Sequence, residues 1–306
     1  MQPDVQNELA ALDRPIPLSE LARRSTAVAT SVDRGFSRLW RPIPILVSGT
    51  PGAGKTMLCR SWDAAQRGNP DPTYMSTALD DLHILIRQRR WVWFDRKVRL
   101  ALSVVPGQTS RNRVGGFASR LTSGHTATGA VHVVCWGYNT MWGTGDELAV
   151  VRKLSALDGE NPDEDPAEVA TKQARLLRDF HLGLELADLK ETLRHLGASW
   201  GKARPVRTQR WLVLALAKCD LFWSELEEAS AYYLGDPESK FGRLISDFQD
   251  RYGPIEVEVL PVSTGPEAWE PNSALRCRKE PEIERQDAEI LMSNFYGRLE
   301  TLCGIR

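Results

Sequence analysis

Eight consecutive residues, Gly49-Thr50-Pro51-Gly52-Ala53-Gly54-Lys55-Thr56, carry the spacing GxxxxGK[ST] at every fixed position. That pattern has a chemistry. Glycines at Gly49, Gly52 and Gly54 let backbone N–H groups turn inward on an anion, and a following helix adds its N-terminal dipole. Lys55 would reach the β and γ phosphates of a nucleotide, and the Thr56 hydroxyl would ligate Mg²⁺. The loop by itself selects neither adenine nor guanine.

Such a loop works only between a strand and a helix. Ile45 to Val47 form a short apolar strand running straight into the glycines, and Thr56 to about Gln66 suits a helix, broken by Gly68-Asn69-Pro70-Asp71-Pro72. Upstream, Leu18, Leu21, Val28, Val32, Phe36 and Leu39 recur at helical spacing, which predicts an N-terminal helical extension over 1–40 ahead of the main domain, 41–306. Downstream, Trp91–Asp95 and Val98–Val105 read as a hairpin with Arg96-Lys97 as its turn. Ala130–Gly137, Trp211–Ala217 and Ile255–Val262 read as further strands. An acidic loop at 158–166 and a helix over Ala167–Leu196 make a helical insertion at about 157–207. Its apolar side is predicted at Leu176, Leu177, Phe180, Leu184, Leu189 and Leu193. Strands alternating with helices predict an α/β fold: a mainly parallel central sheet, helices on both faces, and one antiparallel hairpin strand.

The 39 basic and 40 acidic residues give no electrostatic reason for a nucleic-acid or anionic-membrane partner. The apolar run Trp211–Ala217 is too short to span a bilayer, and no leader pattern is evident, so the expectation is a soluble, cytoplasmic protein without a transmembrane segment. Five scattered cysteines, with no CxxC pair, read as small buried hydrophobes at Cys59, Cys135 and Cys219 and argue against a zinc site or disulfide framework. Five histidines without HxH or HExxH spacing read as structural. Of the tryptophans, Trp136, Trp142, Trp223 and Trp269 fall near strand ends beside the nucleotide edge.

Three later segments bear on the base. Lys218-Cys219-Asp220, after the Trp211 strand, resembles the NKxD motif of GTPases, in which the aspartate accepts two hydrogen bonds from the guanine edge and the lysine lies over the base plane. Val104-Val105-Pro106-Gly107-Gln108 stands where Ras-like GTPases carry DxxGQ, and the stretch Leu102–Gln108 is similar to that of the bacterial MglA-type small GTPases, which keep Pro-Gly-Gln without the acid. Ser263-Thr264, after the last strand, resembles the serine-alanine loop whose backbone meets the guanine oxygen. The resemblance covers about residues 43–156 and 208–300. It implies a P-loop, Ras-like domain that binds GTP or GDP with Mg²⁺. Gly107 would then donate its N–H to the γ phosphate and Gln108 would orient the attacking water, with Lys55 neutralising charge. It further implies a switch controlling an unidentified effector or regulator protein.

The departures matter as much. Val104 cannot bind a metal-held water, and Ala217 removes a polar side chain from the base loop, so slow hydrolysis is expected. Thr73 and Thr77 are candidates for the threonine that closes over Mg²⁺. Arg111 and Arg113 are either arginine fingers in cis or solvated surface residues. Two alternatives stay open: an ATP-hydrolysing P-loop ATPase of the AAA+ or STAND kind, whose phosphate loops share this sequence, and a nucleotide-binding scaffold with little hydrolysis. Against the ATPase, no apolar strand ends in an Asp-Glu pair, and Asp80-Asp81 follows no strand.

Overall fold

The computed structural model describes residues 42–67, 80–91, 94–105, 127–141, 143, 145–160, 165–202, 209–236 and 238–305. Contacts divide the chain into Met1–Arg41 and Pro42–Arg306. The predicted N-terminal helix falls outside the described residues.

The strands are β1 (Ile43–Gly49), β2 (Asp80–Trp91), β3 (Phe94–Val104), β4 (Gly129–Val134), β5 (Trp211–Leu216) and β6 (Glu256–Pro261). The main helices are α1 (Lys55–Arg67), α2 (Gly145–Glu160), α3 (Pro166–Lys202), α4 (Leu226–Ser230), α5 (Lys240–Tyr252) and α6 (Arg285–Leu302). One sheet takes the order β2-β3-β1-β4-β5-β6. Neighbours pair parallel from β3 through β6, and β2 alone runs antiparallel, against β3. This is the mainly parallel α/β sheet with one antiparallel hairpin strand.

Strand alternation sorts the core onto two faces. Leu46, Ala130, Val134, Leu212, Leu214 and Leu216 belong to a cluster shared with Leu177, Leu189, Leu193, Leu196 and Trp200 of α3 and Phe241, Ile245 and Phe248 of α5. Ile45, Val47, Val131, Val133, Val213 and Ala215 belong to another, shared with Leu58, Cys59 and Trp62 of α1 and Phe295, Tyr296 and Leu299 of α6. Both faces are covered, as parallel strands with apolar residues on both sides require.

Several features differ from the sequence reading, among them the first hairpin strand, expected at Trp91–Asp95 and found at Asp80–Trp91. β2 ends at Trp91 and β3 begins at Phe94, so Arg96 and Lys97 sit inside β3, paired with Gln88 and Arg87. The reason is period two: Val98, Leu100, Leu102 and Val104 are buried in alternation, and the strand continues past its polar start. The acidic loop is shorter than 158–166, because α2 runs to Glu160, absorbing the helix cost of Gly159, about 1 kcal/mol. Asp165 then caps α3, its Oδ1 accepting from the Ala167 N–H at 3.0 Å, with Pro166 at the first helical position. Finally, the buried side of α3 is Leu177, Leu189, Leu193, Leu196 and Trp200, whereas Leu176 and Leu184 are exposed. The 157–207 segment is therefore part of the cover over the sheet.

Candidate functional site

The phosphate loop joins β1 to α1 at the C-terminal edge of the sheet, where open α/β folds place their ligands. Its glycines are dictated by space and by torsion. Gly49 has φ +138°, and a Cβ there would lie 2.3 Å from the Val133 carbonyl oxygen; Gly52 has φ +71°, and its Cβ would lie 2.0 Å from the Thr140 carbonyl oxygen. Neither position admits another residue without moving β4 or the loop that follows it. The helix ladder opens with the Leu58 N–H on the Gly54 carbonyl at 2.9 Å, so the amides of Lys55, Thr56 and Met57 precede its first bond. Lys55, 8% exposed, donates Nζ to the carbonyls of Gly49 (2.8 Å) and Thr50 (2.7 Å). Its ammonium is thereby held over the loop, where a phosphate would accept from it. Thr56 is half-buried beside it.

The residues after β4 brace this loop from the side. Asn139 donates Nδ2 to the Thr50 hydroxyl (2.6 Å) and the Pro51 carbonyl (3.2 Å), and the Thr140 N–H donates to the Gly52 carbonyl (3.2 Å). Beneath lies an aromatic wedge. Tyr138 stacks on Phe222 with centroids 5.8 Å apart and meets Trp269 edge-on, and the Trp269 indole donates to the Asn139 carbonyl at 3.0 Å.

The second predicted segment follows β5. Ala217 faces the phosphate loop, 3.9 Å from where a Cβ on Gly54 would stand. Lys218 adopts the left-handed conformation, φ +57°, and donates Nζ to the Tyr138 carbonyl and to the Thr140 hydroxyl, each at 2.8 Å. Its ammonium is anchored to the β4 loop. Burial lowers its affinity for the proton, opposed in part by the Asp220 carboxylate. Asp220 is only 2% exposed. Its carboxylate accepts from the Ser263 hydroxyl and, at a long 3.5 Å, from the Glu267 N–H. Its carbonyl also accepts from the Glu282 N–H at 2.6 Å. Burial holds the Asp220 carboxyl above the usual aspartate range against the Ser263 hydrogen bond.

The ends of β1, β5 and β6 thus bring Gly49, Gly52, Gly54, Lys55, Thr56, Lys218, Asp220 and Ser263 to one edge of the sheet. Ser263 enters by its hydroxyl, spent on Asp220, while Thr264 is exposed. Gly107, Gln108, Thr73, Thr77, Arg111, Arg113 and Trp142 lie outside the described residues. Val104 ends β3 buried in the α1 and α6 cluster. Among the described residues no group of three His, Cys, Asp or Glu side chains could hold a metal ion, and no helix is long and apolar enough to cross a membrane. The described cysteines are free thiols, and Cys59, Cys135, Cys219 and Cys277 are buried.

Asn139 and Thr140 were not among the residues the sequence singled out, nor was a polar stripe on α3. There Arg178 lies over the rings of Trp136 (5.0 Å) and Tyr138 (5.3 Å), and His181 Nδ1 meets the Gly137 carbonyl at 2.8 Å. Fully buried Glu185 accepts through Oε1 from the N–H groups of Cys135 (3.1 Å) and Gly137 (3.4 Å). Its Oε2 accepts from the Tyr233 hydroxyl at 2.5 Å. The only sequence signal was three polar residues at helical spacing beside core leucines. Compared with known proteins, the chain matches no family model and no curated sequence.

Proposed function

We propose that this protein binds guanine nucleotide and Mg²⁺, hydrolyses GTP slowly, and acts as a switch on a partner protein. One observation carries the reading: the phosphate loop and the Lys218–Asp220 loop follow β1 and β5, on either side of β4, and are joined across the β4 loop through Thr140, which bonds both Gly52 and Lys218. The sheet, mainly parallel with one antiparallel strand, fits the Ras-like arrangement that the motifs imply. The lysine and the helix N-terminus suit the triphosphate, Thr56 would hold Mg²⁺, and Asp220 suits the guanine edge. Mg²⁺, when bound, would neutralise charge on the β and γ phosphates.

The buried carboxylate constrains the base step. Asp220 must present its oxygens to guanine past the Ser263–Glu267 turn, so base recognition requires that turn to yield. Competition between GTP and ATP for the Mg²⁺-loaded protein tests the reading: guanine should win clearly, and equal affinities would defeat it.

A scaffold with little hydrolysis is the second reading, favoured by Val104, which supplies core packing where a metal-linked carboxylate is expected. Single-turnover GTP hydrolysis separates the two. A switch without an assigned arginine finger should turn over near the slow end for this chemistry, about 10⁻⁴ to 10⁻³ per second. Gln108→Leu should slow it further at unchanged GTP affinity, whereas tight binding with no turnover supports the scaffold.

A further inference from the structure

The segment Cys135–Thr140 has two ends with different neighbours. At one end, Glu185 of α3 accepts from the Cys135 and Gly137 amides, and His181, one turn away, meets the Gly137 carbonyl. At the other, Asn139 and Thr140 bond the phosphate loop at Thr50, Pro51 and Gly52, while Tyr138 and Thr140 accept from Lys218. Only Tyr138 separates the ends, and its ring is held by Phe222 and Trp269. A displacement at the Glu185 end therefore reaches the phosphate loop and Lys218 with little slack.

We infer that Glu185 is a positioning residue for the nucleotide site, holding Cys135–Thr140 so that the phosphate loop and Lys218 stand in binding geometry, and that α3 is thereby coupled to nucleotide occupancy. This rests on the proposed nucleotide site. The chemistry is acceptor placement: Oε1 satisfies two buried loop amides that otherwise have no acceptor on α3. The coupling is reciprocal, because whatever α3 does to nucleotide affinity, nucleotide must do to α3.

Three variants of the whole chain separate positioning from mere stability. Glu185→Leu removes the acceptor and keeps the volume filled. Glu185→Gln keeps one carbonyl oxygen for the two amides. Leu189→Ala, one turn along the buried side of α3, weakens the core but removes no hydrogen bond from the loop. Hydrogen exchange of the nucleotide-free protein should quicken at residues 50–56 and 135–141 in Glu185→Leu, recover toward wild type in Glu185→Gln, and stay unchanged there in Leu189→Ala. Fluorescent mant-GDP should bind about tenfold more weakly to Glu185→Leu, within the usual range for coupled sites. Unchanged exchange at 50–56 in Glu185→Leu, or an equal affinity loss in a Leu189→Ala variant of matched Tm, would overturn the inference. If Glu185→Leu does not fold, wild type decides it: nucleotide should protect the Cys135 and Gly137 amides together with 50–56, and protection of 50–56 alone overturns the coupling. The exchange readout needs no ligand. Failure of the guanine reading would appear separately, as wild type that binds mant-GDP no better than mant-ADP.

Discussion

The two ends of the candidate site are built from different materials. At the proposed phosphate end, the groups on offer are backbone amides at a helix start, set by glycines at positive φ, with one lysine laid across them. At the proposed base end, the group on offer is one carboxylate, 2% exposed, already bonded to Ser263 and shaped by segments more than forty residues apart in sequence. A phosphate site of the first kind is carried by a local octapeptide. A base site of the second kind exists only once β5, β6 and the turn after β6 are assembled, and its selectivity depends on how that turn yields.

The sharpest way to break the comparison is at Lys55. Lys55→Ala should abolish nucleotide binding or weaken it at least a hundredfold by titration calorimetry with GDP and ADP alike, because the phosphates lose their main charge-assisted donor. Normal binding would show that the phosphate end is not where the motif puts it. Thr56→Ala should act mainly through the Mg²⁺ dependence.

Next in size is Gly52→Ala. The added methyl would sit 2.0 Å from the Thr140 carbonyl oxygen at a φ of +71°. Strain of this kind costs of order 1–3 kcal/mol. Thermal melting should show a lower Tm together with weaker binding of all nucleotides, and unaltered values for both would mean the loop has room the geometry denies it.

An effect of similar size but selective belongs to Asp220→Ala: guanine affinity should fall by about 1.5–3 kcal/mol while adenine affinity hardly moves, since a hydrogen bond to a charged group is lost. The pH dependence has a definite sign. Only the ionised carboxylate accepts both guanine donors, and burial raises its pKa above 3.8. Guanine preference should therefore decline on acidification from a higher pH than an ordinary aspartate would give, and Asp220→Ala should flatten that decline. A preference indifferent to pH down to 4 would remove Asp220 from the base site.

The smallest change lies away from both ends. Arg298 of α6 pairs with Glu256 and Glu258 on β6, and the Arg298 hydrogen bond holds the Glu258 carboxyl below its ordinary value, against partial burial. A depressed carboxyl contributes stability above pH 4.5 that is lost as pH falls through its folded value. Being partly solvated, the network contributes less than about 1 kcal/mol. Glu258→Gln should lower the urea midpoint slightly at pH 7, with no effect on nucleotide binding at either end.

How much was legible follows the same division. The strand, loop and helix at 43–67 could be read because glycine, lysine and threonine spacing is local, and β4 and β5 because largely apolar runs mark buried parallel strands. The hairpin was misplaced because Arg96 and Lys97 look like a turn, and only pairing with β2 shows them extended. Glu185 and Asn139 were invisible for a different reason. A buried carboxyl on a helix has no signature of its own until the loop amides it serves, some fifty residues earlier, are folded against it. Leu176 and Leu184 misled in the opposite sense: leucine at helical spacing fixes the existence of α3 but leaves its rotation to the packing.

Val104 has an evolutionary consequence. Its side chain packs at the end of β3 among Val47, Leu100 and Leu102 against α1 and α6. A single codon change to aspartate would set a carboxylate in that apolar setting, and breaking even with an unpaired buried charge costs several kcal/mol. Domains of this kind have only about 5–15 kcal/mol in hand. An acid at this position is therefore tolerated more readily once a neighbouring core residue has turned polar, so the order of the two changes matters.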